Sequence, residues 1–254
     1  FRQRIRSPLL GEIRALRIRM PDRQKAALKG GARALPPDGE TSLRRRQLMR
    51  SGLNNPLGTI GGVMVVGMKK DNRTRDLTPS ASTADRQGRL DPAASLQGGG
   101  AGRFLDFLTG ELRQTVEAQL PDGMRILRRT LIGHSFGGLF TVNAVLTQPH
   151  AFDDFIAADP SFWWDQRRLI QKRRQTAWAT RLLPARDVGS ISLAPDRAKD
   201  AQPVLIGRLR GFACQQIHWS QTIGKLQSQG LQVRRQDFPD EVHGTVMFPA
   251  LLML

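Results

Sequence analysis

The sequence predicts an α/β fold, a mostly parallel sheet covered by helices on both faces. Three observations carry that prediction. Strand-like apolar runs alternate with segments of helical spacing along most of the chain. Two of those runs, Gly61–Met68 and Phe155–Ala158, are apolar without alternation, as strands buried on both faces must be. The pattern Gly133-His134-Ser135-Phe136-Gly137 joins an apolar strand to an apolar helix, the sequence form of a tight strand-to-helix turn.

Composition narrows the class. The 254 residues suit one domain spanning 1–254, and 39% hydrophobic with 24% charged residues excludes a disordered chain. A single cysteine, Cys214, excludes an internal disulfide framework and a cysteine-rich metal site. No apolar run is long enough to span a membrane. The opening FRQRIRSPLLGEIR has no apolar stretch of the signal-peptide kind; with the lone Cys214 this favours the cytoplasm. The net charge of +17 comes from 39 basic and 22 acidic residues. Thirty-two of the basic residues are arginine, and there is no tyrosine. Such a surface permits contact with anions but by itself selects no partner.

In chain order, Ile13, Ala15, Leu16, Ile18 and Met20 suggest one or two edge strands before Pro21. Residues 22–60 are poorly defined, broken by Gly30, Gly31, Pro36, Pro37 and Asp38-Gly39. Residues 78–102 read as a long loop. Phe104, Leu105, Leu108, Leu112, Val116 and Leu120 then fall at helical intervals until Pro121-Asp122-Gly123. A strand around Arg129–Ile132, a helix Gly137–Gln148 and the short strand Phe155–Ala158 follow. Ile191–Leu193 is a weaker strand, Phe212–Gln229 a helix closed by Gly230, and Leu231–Phe238 a last strand.

The chemistry begins at Ser135. In a nucleophile elbow the serine sits on a strained turn that lifts its hydroxyl clear of the sheet, and glycines at 133 and 137 avoid collisions as the turn closes. The following helix aims its free N–H groups where an oxyanion would develop. A serine needs a base, and an α/β-hydrolase places it after the last strand. Of the four histidines, His243 alone stands there; His134 lies inside the elbow with its side chain expected to point away from the nucleophile. The acid should follow an intervening strand. Asp196 leads, with Asp200 one helical turn on and Asp159 at the end of an earlier strand.

These segments resemble a known family. GHSFGGLFTVNAVLTQP, FDDFIAADPSFWWD and FPDEVHGTV resemble the esterase-D-like branch of the α/β-hydrolases, and within it the ferric-siderophore (enterobactin-type) esterases. SPLLGEIRALRIRMP, PPDGE, NRTRDLTP and GGGAGRFLDFL extend the likeness over most of the chain. The resemblance implies an α/β-hydrolase fold and an esterase with Ser135 as nucleophile and His243 as base. It implies an oxyanion hole from the N–H of Phe136 and one from the turn at Gly39–Glu40. It sets Trp163 and Trp164 beside the site as an aromatic wall, and offers Arg73 and Arg75 to an anionic ester substrate.

The sequence also departs from the family. The segment before Asp38 holds Pro36 and Pro37 and makes a poor central strand. Asp159 stands where an S-P-S-x-W-W pattern has serine, and the chain runs only a few residues past His243, leaving little final helix. Triad hydrolysis requires no metal or organic cofactor. Two alternatives stand beside hydrolysis: an inactive homologue binding through its basic surface, and an acyltransferase on the same fold. No helix-turn-helix, zinc pattern or aromatic-interleaved basic motif supports nucleic-acid binding.

Overall fold

Alternating arginines and aliphatic residues at the start of the chain form an antiparallel hairpin, β1 (Arg2–Ser7) and β2 (Glu12–Arg19), with Ile5 opposite Arg14. The computed structural model of the chain describes residues 2–19, 32–35, 63–68, 72–85, 89–120, 124–171, 186–193, 231–238, 241–247 and 250. Further strands are β3 (Ala32–Leu35), β4 (Val63–Met68), β5 (Ala81–Ser82), β6 (Gln97–Gly98), β7 (Ile126–His134), β8 (Asp154–Ala158), β9 (Arg186–Leu193) and β10 (Leu231–Asp237). Eight of them form one sheet in the order β1-β2-β4-β3-β7-β8-β9-β10, and β5 and β6 form a separate small pair. β2 is antiparallel to β4, and every pairing from β4 to β10 is parallel. This is the expected mostly parallel sheet with an antiparallel hairpin at one edge.

The helices follow the predicted pattern with local differences. They are α1 (Arg73–Leu77), α2 (Ala101–Phe107), a π-helical turn at Leu108–Leu112, α3 (Arg113–Glu117), α4 (Phe136–Thr147) and α5 (Trp164–Gln171). The single helix expected from Phe104 is thus a run of α, π and α turns. Within the loop expected over 78–102, Ala81–Ser82 and Gln97–Gly98 pair as strands. The poor central strand before Asp38 does form as Ala32–Leu35, paired with β4 and β7; Pro36 and Pro37 lie outside the described residues. The predicted helix Phe212–Gln229 lies outside the described residues.

Both faces of the sheet are covered. Successive residues of β7 and β8 alternate sides. Leu131 and Phe155 pack with Phe104, Leu105, Phe140 and Ala144 from α2 and α4. Ile132, Ile156 and Ala158 pack instead with Val246 and Ala250 from the end of the chain. Hydrogen bonds from Val246 N–H to Val242 O and from Ala250 N–H to Val246 O turn this last segment helically. Val246 and Ala250 therefore cover part of this face and hold the segment that carries His243.

One ionic cluster ties the hairpin to α1. Arg14, buried on β2, donates to Asp76 at 2.5 Å and lies over the Phe104 ring at 5.5 Å. Arg75 bonds Asp76 at 2.7 Å and Glu12 at 2.5 Å, and Glu12 also pairs with Arg14. Burial pushes the Glu12 carboxyl up, but the hydrogen bond from Arg75 and the charges of Arg14 and Arg75 outweigh it and hold it below its ordinary range. The hydrogen bonds to Asp76 and Glu12 push the Arg75 guanidinium up, so it stays charged. Removing one partner of a buried pair strands the other, which typically costs about 3–5 kcal/mol. Asp76→Ala leaves Glu12 beside Arg14 and is expected to destabilise the protein by less than that, about 1–3 kcal/mol in urea unfolding; a change under about 0.5 kcal/mol would show that Glu12 alone balances Arg14.

Candidate active site

The site lies at the carboxyl ends of β7 and β8, which finish in register. His134 is paired with Ala158, so Ser135 and Asp159 leave the sheet side by side. Ser135 turns the chain into α4 at φ 61°, ψ −118°, in a region that ordinary side chains rarely occupy. Asp159 also has positive φ, 41°. The two residues of positive φ thus follow neighbouring strand ends.

Sterics enforce the turn. A Cβ on Gly133 would stand 2.0 Å from the carbonyl oxygen of Gly137 and 2.7 Å from the Thr141 hydroxyl, so only glycine fits there. The Thr141 hydroxyl donates to that same carbonyl at 2.9 Å. Gly138 brings α4 against the β8 exit, where a Cβ would lie 3.0 Å from Ala158 O and from Pro160 Cα.

Hydrogen bonds to the β8 exit hold Ser135 in place. Its N–H donates to Ala158 O at 3.1 Å, and its carbonyl accepts from Ser161 N–H at 3.1 Å and from Leu139 N–H at 2.9 Å. Its hydroxyl lies 3.0 Å from that of Ser161. Ser135 is half-buried, while Ser161 is buried. The nucleophile candidate is thus reachable, and the group behind it is not.

His243 reaches the same place from the end of the chain. Its Nδ1 is hydrogen-bonded to Oδ2 of Asp159, and its side chain is half-exposed above the well-covered carboxylate. Its ring centroid is 4.5 Å from that of His134, so the elbow histidine faces the base candidate. A histidine bonded through Nδ1 to a carboxylate has the orientation a general base needs, with Nε2 left for the reacting proton. Of the three aspartates considered from sequence, Asp159 is the one bonded to His243; Asp196 and Asp200 lie outside the described residues, as do Gly39 and Glu40.

The other predicted site residues divide by role. Phe136, the first residue of α4, packs against Trp163 at 5.4 Å and edge-on against Trp164 at 5.2 Å. Trp164 is buried and donates its indole N–H to Ser80 O at 2.9 Å, so it anchors the wall while Trp163 remains partly exposed. Arg73 and Arg75, both on α1, have different partners. Arg75 is held by Glu12 and Asp76. Arg73 donates to the carbonyl of His134 at 2.9 Å and lies over Phe136 at 5.9 Å, bracing the elbow from the side of α1. The reason is local: Asn72 caps α1 through Arg75 N–H, and this short helix packs against α4.

Sequence reasoning missed Ser161 and the bracing role of Arg73. The signal for Ser161 was its place in Asp159-Pro160-Ser161-Phe162-Trp163-Trp164, directly after an elbow-adjacent strand. Arg73 carried no such signal.

Comparison with known proteins identifies the family. The family model described as "Putative esterase" matches residues 46–201. The siderophore enterobactin esterase of Emericella nidulans is 31% identical over 227 residues, covering 83% of this chain and 74% of that protein. The siderophore triacetylfusarinine C esterase of Aspergillus fumigatus is 34% identical over 122 residues, covering 45% of this chain and 38% of that protein. An IroE-like serine hydrolase from Shewanella oneidensis is 26% identical and superposes with a TM-score of 0.81 over 99% of this chain and 77% of that one. The chain belongs to this family of esterases, serine hydrolases built on the α/β-hydrolase fold.

Proposed function

We propose that the protein hydrolyses carboxylic esters through an acyl-enzyme on Ser135, with His243 as general base and Asp159 as the acid that orients it. The observation that carries this reading is the meeting of three groups at two adjacent strand ends. Ser135 stands on the elbow, Asp159 is its neighbour across the register, and His243 is bonded to Asp159 through Nδ1. In this structure the Ser135 hydroxyl bonds Ser161, and catalytic contacts of this kind often tighten only when substrate binds.

The reaction follows in balanced steps. Oγ of Ser135 bonds to the ester carbonyl carbon as its proton passes to His243 Nε2. The carbonyl oxygen becomes an oxyanion facing the N–H of Phe136 at the start of α4, and a second N–H from the Gly39–Glu40 turn would complete the hole. Each such donor contributes about 2.7–4 kcal/mol at the transition state. The C–O bond to the alcohol breaks, and imidazolium returns the proton to the leaving alkoxide. Water, deprotonated by His243, then releases the acid and restores Ser135.

For the substrate class we propose a siderophore-type ester. The relatives named above are esterases of enterobactin and of triacetylfusarinine C. The net charge of +17 favours capture of an anionic ferric complex over a neutral ester.

Three outcomes test these assignments. A fluorophosphonate is expected to label the protein and to leave Ser135→Ala unlabelled; equal labelling of both would remove Ser135 as nucleophile. Asp159→Asn is expected to lower kcat about 10²–10⁴-fold, since the amide neither fixes the tautomer nor stabilises imidazolium. Near-normal kcat in that variant would return the acid role to Asp196 or Asp200. Purified protein should hydrolyse a ferric catecholate trilactone with a kcat/KM that falls as salt rises. Turnover of short aryl esters with none of the trilactone at low salt would contradict the substrate class.

A further inference from the structure

The Ser135–Ser161 contact raises a question the triad leaves open, namely which hydroxyl donates. Ser161 is buried, 3% exposed. Among the described residues its hydroxyl has one hydrogen-bond partner, Oγ of Ser135 at 3.0 Å, and either oxygen can be the donor. Its backbone is fixed by the N–H bond to Ser135 O at 3.1 Å, so its side chain stays beside the nucleophile. Ser135 must send its own proton toward His243 if it is to attack. A hydroxyl carries a single proton, so Oγ of Ser135 is then available to Ser161 only as an acceptor.

We infer that Ser161 is a positioning residue that donates its hydroxyl proton to Oγ of Ser135, directing the Ser135 proton toward His243 and supporting charge on Oγ. This deepens the reading of Ser135 as nucleophile and rests on it. The consequence appears at two points of the cycle. In acylation, the bond from Ser161 keeps Oγ in one rotamer with its proton turned away from the sheet. In deacylation the C–Oγ bond breaks and charge returns to Oγ, where a donor already in place stabilises the departing oxygen until His243 protonates it. No bond to Ser161 is made or broken, and its proton stays on its own oxygen throughout. A parking site would have the opposite polarity, with Ser135 donating to Ser161 and its proton withheld from the base.

The test compares wild type, Ser161→Ala, Ser161→Thr and Ser135→Ala by the rate of fluorophosphonate labelling and by steady-state hydrolysis of a short aryl ester. Loss of one neutral hydrogen bond to the reacting atom corresponds to about a three- to tenfold effect. Ser161→Ala is expected to lower the labelling rate and kcat by that factor, with KM changed less than about twofold. Ser161→Thr, which keeps the hydroxyl, is expected to recover most of the rate. If its added methyl lowers the melting temperature, Ser161→Cys, a weak donor, is expected to fall between serine and alanine. The acid limb of the kcat/KM profile should stay where it is in wild type, because the Ser161 hydroxyl is bonded to Ser135; a packing defect that displaced the base would move it. Labelling of Ser161→Ala at the wild-type rate or faster would overturn the donor role and favour parking. A wild-type protein that resists labelling would overturn the nucleophile reading, and this inference with it; labelling lost in Ser135→Ala alone separates the two failures.

Discussion

The hydrogen bonding of Ser135 to the exit of β8 is the constraint on which the rest of the site depends. Holding a serine at φ 61° costs on the order of 1–3 kcal/mol, and such a conformation persists only where its surroundings over-determine it. Here the over-determination is explicit. The Ser135 N–H reaches Ala158 O, its carbonyl receives Ser161 N–H, and its hydroxyl meets that of Ser161. At about 0.5–1.5 kcal/mol for a typical bond, three of them offset the strain. The same short exit segment carries Asp159, and through it His243. Ser135 and His243, the proposed nucleophile and base, are therefore registered against one piece of backbone.

That backbone is in turn fixed from both faces of the sheet. Phe155 is locked under α2 and α4, while Ile156 and Ala158 are covered by Val246 and Ala250. Because Val246 is fully buried three residues after His243, packing of the last turn sets where the imidazole emerges. The hairpin at the far edge contributes less directly. Its Arg14 neutralises Asp76 on α1, and α1 carries Arg73 to the carbonyl of His134. The arginine excess thus has a local structural use beside its effect on the long-range field. Trp164, tied to Ser80, holds the aromatic wall against Phe136, whose N–H faces the developing oxyanion in the proposed reaction.

Much of this was legible in the sequence, and the gaps have physical causes. The elbow was readable because its demands are local: Gly133 must be glycine, and an apolar strand and helix must flank it. The central β3 is hard to read because two prolines follow it in sequence, yet Ala32–Leu35 pairs with β4 and β7. His243 is proposed from its position after the last strand, and in the structure its Nδ1 is bonded to Asp159. Sequence leaves the acid among three aspartates; the bond of Asp159 to His243 rests on the pairing of His134 with Ala158, a register between strands that spacing along one chain does not reveal. Arg73 and Arg75 were expected to meet an anion. The contacts described for them, to a carbonyl and two carboxylates, arise only in tertiary folding, and Arg14 sits in an alternating strand with no mark of burial.

The most direct measurement of the central claim is a crystal structure of the phosphonylated protein. The account predicts phosphorus bonded to Oγ of Ser135, Ser135 still bonded through its backbone to Ala158 and Ser161, and His243 with Nδ1 on Asp159 and Nε2 turned toward the adduct. An adduct in which His243 has left Asp159 for a carboxylate beyond β9, or in which the elbow has detached from the β8 exit, would contradict it.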